Sequence, residues 1–279
     1  MKDSAALIEP RDPGRSREKA FLVLPGLREP VLVSPREQDD VQSDGGSHSY
    51  DVWHDSLTVE TEATEPWHLL VRRHLNLARD LSGRRVLEIG CGRGGFSCWL
   101  AGQTDPPPHI VAIDYSSVAV EKGRAHAAAT GISGITWQTG DIQAIDQPEA
   151  SFDTAISCET IEHVPDPPRA VRELARVLKP GGTLFLTTPN YFGPYGLYRA
   201  YLRLRGRRFT EVGQPINQFT MLPRTLLWLR RAGLIPTVVA GEGHYLLLPG
   251  REPRRIEWLD HKVFKWFATH GLIVAKKPA

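Results

Sequence analysis

From about residue 85 onward, two patterns of apolar residues take turns along this chain: short continuous runs, and apolar positions three or four residues apart. Short apolar runs predict buried strands at residues 85–89, 110–113, 135–139, 152–158, 183–188, 236–240 and 272–275. Apolar positions three and four residues apart predict amphipathic helices at 95–101, 116–129, 168–178 and 222–232. The alternation predicts an α/β fold with a doubly wound, seven-stranded, mostly parallel sheet of Rossmann-like type, which binds ligands at the carboxyl ends of its strands.

Three segments lie outside this alternation. Residues 50–81 have apolar positions at helical spacing, which predicts an amphipathic helix within an N-terminal helical cap at 49–82. Residues 1–48 are rich in Pro, Gly, Ser and charged side chains and predict a mobile arm, in which 21–24 and 31–33 are spaced to form a small hairpin. Within the main domain, 83–279, the regular pattern lapses at 190–218. Because this insert follows the fifth strand, we expect it to lie over the ligand edge of the sheet as a lid.

Composition and charge exclude several classes of protein. A formal net charge of +2 gives no global field that would attract nucleic acid or an anionic membrane, so no DNA partner is expected. Three cysteines without C-x-x-C spacing predict a reducing, cytoplasmic setting rather than a disulfide framework. No apolar stretch reaches the ~18 residues of a spanning helix, which predicts that there is no integral membrane segment. The oligomeric state is left open.

The most specific local signal is the glycine-rich turn after the first strand. Gly90, Gly92 and Gly95 fit the G-x-G-x-x-G pattern, and Asp114 ends the next strand about 20 residues on, as a dinucleotide site requires. Glu88 argues against NAD, because a pyrophosphate at a helix N-terminus needs backbone N–H groups rather than a carboxylate. S-adenosylmethionine carries a sulfonium and an ammonium but no phosphate, so two carboxylates suit it. A tight turn without a ligand is the alternative.

Four motifs, in this order, resemble those of the class I S-adenosylmethionine-dependent methyltransferases over residues 84–279. They are the 88–94 turn, Asp114, Gly140-Asp141-Ile142 and the 178–182 turn. The resemblance implies that Asp114 binds the ribose hydroxyls and that Asp141 meets the adenine amino group, with Ile142 packed on the ring. The cofactor-binding residues that it implies are Glu88, Gly90, Cys91, Gly92, Gly94, Asp114, Tyr115, Asp141, Ile142 and Cys158. Taken singly, Asp114 could cap the following helix and Asp141 could belong to an ordinary turn.

A second cluster of ionisable residues, Glu159, Glu162 and His163, follows the fourth strand directly. Methyl transfer from a sulfonium to oxygen is an in-line displacement, so the acceptor must be aligned and must lose a proton. Histidine side chains have an ordinary pKa near neutrality, so the sequence predicts that His163 suits that proton transfer, with Glu159 as a second catalytic candidate. Alternatively, Glu159, Glu162 and His163 bind a divalent cation, Mg²⁺ or a similar ion, which would acidify a bound hydroxyl. The plainest interpretation is that Glu162 and His163 open a helix and satisfy local hydrogen bonds.

This segment is similar to that of the ubiquinone-pathway O-methyltransferases, within the methyltransferase type 11 group, and of the small-RNA 2′-O-methyltransferases. In both, the corresponding Glu, Glu and His are linked to metal-assisted transfer. The RNA enzymes add a downstream histidine, where this chain has Asn217 or Gln218, so the resemblance implies a small-molecule acceptor rather than RNA. It implies O-methylation of a small or medium-sized biosynthetic acceptor. The alternatives are an RNA 2′-O-methyltransferase-like enzyme and a non-catalytic scaffold that binds S-adenosylmethionine.

The insert interleaves tyrosines with arginines, and this pattern predicts either acceptor binding or, through 191–208, peripheral contact with an anionic membrane. The plainer interpretation is an amphipathic helix with three residues packed inward: Leu197, Tyr201 and Leu204. Three further histidines are candidates for the acceptor site: His54, His68 and His244.

Overall fold

A seven-stranded sheet forms the centre of the computed structural model, which describes residues 46–59, 63–204, 206, 214–246, 254–256, 259 and 264–279. The strands are β1 Arg85–Ile89, β2 His109–Asp114, β3 Ile135–Thr139, β4 Phe152–Ser157, β5 Leu178–Pro189, β6 Ile235–Glu242, β7 Tyr245–Leu246, β8 Arg254–Arg255 and β9 His270–Lys276. The sheet order is β3-β2-β1-β4-β5-β9-β6, while β7 and β8 form a separate ribbon. Of the seven strands in this sheet, β9 alone runs opposite to the other six, so the predicted doubly wound, mostly parallel α/β fold is confirmed.

Helices cover both faces of the sheet. They are α1 Ser47–Asp55, α2 Pro66–His74, α3 Leu77–Asp80, α4 Gly95–Ala101, α5 Ser117–Ala129, α6 Pro167–Val177, α7 Pro194–Leu204 and α8 Leu222–Arg231. Short 3₁₀ turns occur at Ile161–His163 and Lys265–Phe267. None of the helices in the described ranges has the length and apolar character needed to cross a bilayer.

The prediction of one helix over 50–81 is wrong, because three helices occupy that region. Pro66 begins α2, where its fixed φ suits a first turn and its missing N–H is not needed. Leu75 then adopts an extended backbone, and the side chain of Asn76 caps α3 by accepting from the N–H of Arg79 at 2.9 Å. The predicted arm at 1–48 and its hairpin lie almost entirely outside the described residues.

Alternate residues of the strands pack on opposite faces. On β5, Leu184 and Leu186 join one buried cluster with Leu174 of α6, whereas Phe185 joins a second cluster with Phe96 of α4. This period of two, with both faces covered, accounts for the nearly continuous apolar runs that the sequence shows in these strands.

β5 and β9 reach further than predicted, and their extension matters for the site. β5 takes in the glycine turn at 178–182 and continues to Pro189, while β9 begins at His270 instead of residue 272. Antiparallel pairing of His270 with both Pro189 and Glu242 explains the longer β9. His270 therefore lies at the edge where the parallel strands end.

The predicted packing of the insert helix is wrong. The residues expected to face inward are exposed, by 74%, 36% and 87% respectively: Leu197, Tyr201 and Leu204. The buried side of α7 instead carries Tyr195, whose ring stacks on Tyr191 with 5.1 Å between centroids. Arg199 lies on the same side, with its guanidinium 4.5 Å from the Tyr191 centroid and donating to the carbonyl oxygen of Asn217 at 2.9 Å.

Candidate functional site

The glycine turn between β1 and α4 leaves room only for glycine at two positions. Gly90 has a φ of 74°, and a Cβ there would overlap the side chain of Thr160. Gly94 has a φ of 78°, and a Cβ there would overlap the ring of Trp137. The N–H of Gly90 donates to the carbonyl of Ile113 at 2.8 Å, so the ends of β1 and β2 are held together. The result is a tight concave turn at the point where the order of the strands reverses.

The two predicted cofactor carboxylates lie beside this turn: Glu88 is the penultimate residue of β1, and Asp114 is the last residue of β2. Glu88 is 2% exposed and accepts a hydrogen bond from the hydroxyl of Ser97. Burial raises the pKa of Glu88 to about 8, and the nearby charge of Asp114 adds to the shift. Asp114 accepts from the N–H of Gly92 at 2.7 Å and from that of Ser116 at 2.9 Å. A positive ligand charge would relieve the cost of ionising Glu88, so this pair of carboxylates suits a cation.

Helix α1 covers the Asp114 side of the turn. The hydroxyl of Ser116 donates to Asp51 at 2.6 Å, which ties α1 to the start of α5. The hydroxyl of Tyr50 donates to the carbonyl of His163 at 2.9 Å, so the same helix reaches the segment after β4. Sequence reasoning missed both contacts, because each joins residues far apart in the chain.

His54, expected near the acceptor, lies instead beside the predicted ribose acid. Its Nε2 is 3.9 Å from Asp114 Oδ1, and its Nδ1 is 3.1 Å from the guanidinium of Arg93. Burial lowers the pKa of His54 to about 4, although the carboxylate of Asp114 opposes the shift. The other two candidates pack elsewhere: the ring of His68 stacks on Phe96 at 4.7 Å, and Nε2 of His244 lies 3.0 Å from the carbonyl of Phe264.

The remaining predicted cofactor residues lie at the neighbouring strand ends. Asp141 accepts from the N–H of Gln143 at 2.8 Å, so its carboxylate shapes its own turn after β3. Ile142 is buried, and Tyr115 is exposed directly after β2. Across the strand-order reversal, Cys158 follows β4, and burial raises the pKa of its thiol well above the usual range. Burial has the same effect on the pKa of the Cys91 thiol in the glycine turn.

Glu159 directly follows Cys158 in a backbone conformation that is uncommon for its residue type. Its φ is 46°, in the left-handed region, and its N–H donates to both the carbonyl and the hydroxyl of Thr187, at 3.2 and 3.1 Å. Its carboxylate contacts β9, because Oε2 lies 3.2 Å from His270 Nδ1. No sequence motif marked His270; the only hint was its position directly before the last apolar run.

Glu162 and His163 form a separate buried pair in the Ile161–His163 turn. Thr188 donates its hydroxyl to Glu162 Oε2 at 3.1 Å. His163 has its Nδ1 2.6 Å from the carbonyl oxygen of Ile216 and its Nε2 3.5 Å from Glu162 Oε1. Burial lowers the pKa of His163 to about 4, partly offset by the bond to Ile216.

The three predicted metal ligands therefore divide between two different contacts. Glu159 engages His270, whereas Glu162 and His163 face each other. Across the residues that the structure describes, no group of three or more His, Cys, Asp or Glu side chains is placed to hold a metal ion. The residues present do not fit the predicted three-ligand set.

Known proteins resemble this chain in sequence and in fold. A family model described as a methyltransferase domain matches residues 87–186. The chain is 33% identical over 183 residues to the ubiquinone biosynthesis O-methyltransferase of Xanthomonas euvesicatoria, a match that covers 63% of this chain and 74% of that protein. It is 30% identical over 203 residues to the 27-O-demethylrifamycin SV methyltransferase of Amycolatopsis mediterranei, covering 71% and 69%. A solved S-adenosylmethionine-dependent methyltransferase from Mesorhizobium loti shares the fold, with a TM-score of 0.53 at 19% identity over 75% of this chain and 96% of that chain.

Proposed function

The chain belongs to the S-adenosylmethionine-dependent methyltransferases, and from that premise we propose that it methylates an oxygen atom of a small or medium-sized biosynthetic acceptor. The observation that carries the proposal is the joint position of Glu88 and Asp114 at the glycine turn. They lie at the same edge of the sheet as the 159–163 segment. One side of this edge suits a cationic nucleoside, and the other offers proton-accepting groups.

In the proposed complex, the two carboxylates bind opposite ends of the cofactor. Glu88 faces the ammonium of the methionine part, and Asp114 accepts from the ribose hydroxyls. Asp141 meets the adenine amino group and Ile142 packs on the ring. The turn glycines and Cys91, together with Tyr115 and Cys158, form the remaining walls.

The acceptor lies on the other side of the strand-order reversal, near Glu159 and beneath the insert. Its oxygen attacks the methyl carbon in line with the sulfonium, the S–CH₃ bond breaks and S-adenosylhomocysteine leaves. Alignment of the two reactants accounts for a large part of such a rate enhancement, since it removes the entropic cost of bringing them together. The stacked rings of Tyr191 and Tyr195 support the role of the insert as the acceptor-side wall.

A divalent cation does not enter this proposal, because the predicted ligands do not converge in the described residues. A cytoplasmic location is proposed from the three cysteines, all of which are buried and free.

The proposal is tested by incubating the protein with methyl-labelled S-adenosylmethionine and fractionated small molecules from its source, with and without chelator. Mass spectrometry of the labelled product should identify an O-methyl ether or ester. Asp114→Ala is the negative control: it should lose both the binding of S-adenosylhomocysteine and the transfer of the methyl group. Binding of S-adenosylhomocysteine with label appearing only in RNA, or in no product, would contradict the proposed acceptor. Tight binding of NAD alone would contradict the cofactor.

A further inference from the structure

Glu159 and His270 form a hydrogen-bonded pair that no sequence motif assigned. Oε2 of Glu159 lies 3.2 Å from Nδ1 of His270, although 111 positions separate the two residues in the chain. The pair joins the end of β4 to the start of β9 across β5, at the ligand edge of the sheet. Both side chains are about one-tenth exposed, at 12% and 11%. The pair is therefore shielded from bulk water without being sealed within the core.

The contact determines which nitrogen of His270 is basic. A carboxylate accepts hydrogen bonds, so Nδ1 carries the hydrogen that points toward Glu159. The lone pair of the neutral ring then lies on Nε2, as in a carboxylate–histidine pair that takes a proton from a hydroxyl. When the ring gains a proton, the carboxylate stabilises the imidazolium that forms.

The backbone of Glu159 has an uncommon conformation where the side chain makes this contact. A φ of 46° is costly for a glutamate, and Thr187 holds it through two hydrogen bonds from the Glu159 N–H. The second carboxylate oxygen, Oε1, is buried and makes no hydrogen bond to a described residue. Strain of this kind is found at functional sites, where the surrounding structure maintains it.

Among the described residues, two other groups lie near His270. Glu242 is its neighbour on β6, but Arg73 and Arg255 bind that carboxylate at 2.7 and 3.1 Å. The ring of Trp67 lies 5.5 Å from the imidazole and adds an apolar wall without charge.

His163, the residue that the sequence favours for proton transfer, has a different environment. Its Nδ1 is bonded to the carbonyl of Ile216, and its Nε2 faces Glu162 within the same short turn. Its main-chain carbonyl in turn accepts from Tyr50. These contacts tie together three segments of the fold, which is the arrangement expected of a structural histidine.

We propose that His270, oriented by Glu159, accepts the hydroxyl proton of the acceptor as its oxygen attacks the methyl group. The O–H proton passes to Nε2, the O–CH₃ bond forms, the S–CH₃ bond breaks, and neutral S-adenosylhomocysteine leaves. This inference rests on the proposed function, since it concerns the acceptor side of the same reaction.

The test compares His270→Asn, Glu159→Gln and His163→Asn on the acceptor found by labelling and on ring- or chain-substituted analogues of graded hydroxyl acidity. His270→Asn should lower kcat by about 10²–10³-fold on the least acidic hydroxyl and progressively less on more acidic ones, which need less help to ionise. Glu159→Gln should show the same trend with a smaller loss. Unchanged S-adenosylhomocysteine affinity in both variants is the control for folding.

Two results would overturn the inference. One is a loss in His270→Asn that is equal across the acidity series, which would indicate a purely structural role. The other is an acidity-dependent loss in His163→Asn alone. A readout independent of transfer is ¹⁵N NMR of the histidines: the neutral His270 ring should carry its hydrogen on Nδ1, and Glu159→Gln should weaken that preference. A neutral His270 ring with its hydrogen on Nε2 would contradict the proposed Glu159–His270 pair, even if the protein transfers methyl groups to oxygen. Absence of O-methylation by the wild-type protein would contradict only the proposed function.

Discussion

His163 is bonded through Nδ1 to the main-chain carbonyl oxygen of Ile216, at 2.6 Å across 53 positions of the chain. The bond joins the turn after β4 to the segment that leads into α8. Because the imidazole is buried and its nitrogens face protein groups, protonation disturbs both segments together.

The first prediction concerns the acid stability of His163. Its pKa falls from 6.5 to about 4 on folding, so its contribution to stability is present above pH 6.5 and is lost as the pH falls toward 4. Relative to His163→Asn, the wild type should lose about 2–3 kcal/mol of unfolding free energy between pH 7 and pH 4. Urea unfolding at several pH values measures the difference. A constant gap between the two proteins would show that His163 is not buried in its neutral form.

Glu88 should show the opposite pH dependence. Its pKa rises from 4.5 to about 8 on folding, so the folded state holds the proton more tightly and loses stability as the pH rises between these values. Without ligand, Glu88→Gln should be more stable than the wild type by about 2–4 kcal/mol at pH 8.5, and by much less at pH 5. The same variant should bind S-adenosylmethionine weakly, because a neutral amide cannot pair with the ammonium. Calorimetric titration beside urea unfolding tests both effects, and loss of stability at pH 8.5 would refute the assignment.

How far the sequence could predict the site depends on how local each part is. Glu88, Gly90 and Gly92 lie within one strand and one turn, so the sequence alone predicts that they lie close together. Their part in cofactor binding stays a prediction. The contact of Glu159 with His270 depends on β9 pairing antiparallel with both β5 and β6, and no local pattern encodes that pairing. The spacing of Glu159, Glu162 and His163 is compatible with a metal site. The motif does not reveal that Glu159 has a left-handed φ and that its carboxylate contacts His270 of β9 instead.

The insert helix shows a second limit. Helical spacing in α7 allowed either the Leu197 side or the Tyr195 side to face inward. In the structure the Tyr195 side faces inward, because it contacts Tyr191 and the 217–219 segment. These contacts are tertiary, so the helical spacing alone does not predict them.

Gly94 offers a matched test of the glycine turn. Gly94→Ala places a Cβ in the left-handed region and against the ring of Trp137, 2.6 Å from its Cζ3. Gly131→Ala has a similar φ of 69° but meets no atom within 4 Å, so it isolates the backbone cost of about 1 kcal/mol. Gly94→Ala should lose about 2–4 kcal/mol and weaken S-adenosylhomocysteine binding, whereas Gly131→Ala should bind normally. Equal stability and binding in the two variants would contradict the close approach of Trp137.

Arg199 tests the role of the insert on the acceptor side. Its guanidinium lies over Tyr191 and Phe219, at 4.5 and 5.4 Å from the ring centroids, so it fixes the aromatic wall. Arg199→Ala should raise KM for the acceptor about tenfold. The affinity for S-adenosylhomocysteine should stay unchanged, because Glu88, Asp114 and Asp141 lie across the strand-order reversal. Arg203→Ala, one turn further along α7 at a solvent-exposed position, is the control and should leave both values as they are. A larger effect on cofactor affinity than on acceptor KM would place the insert over the wrong half of the site.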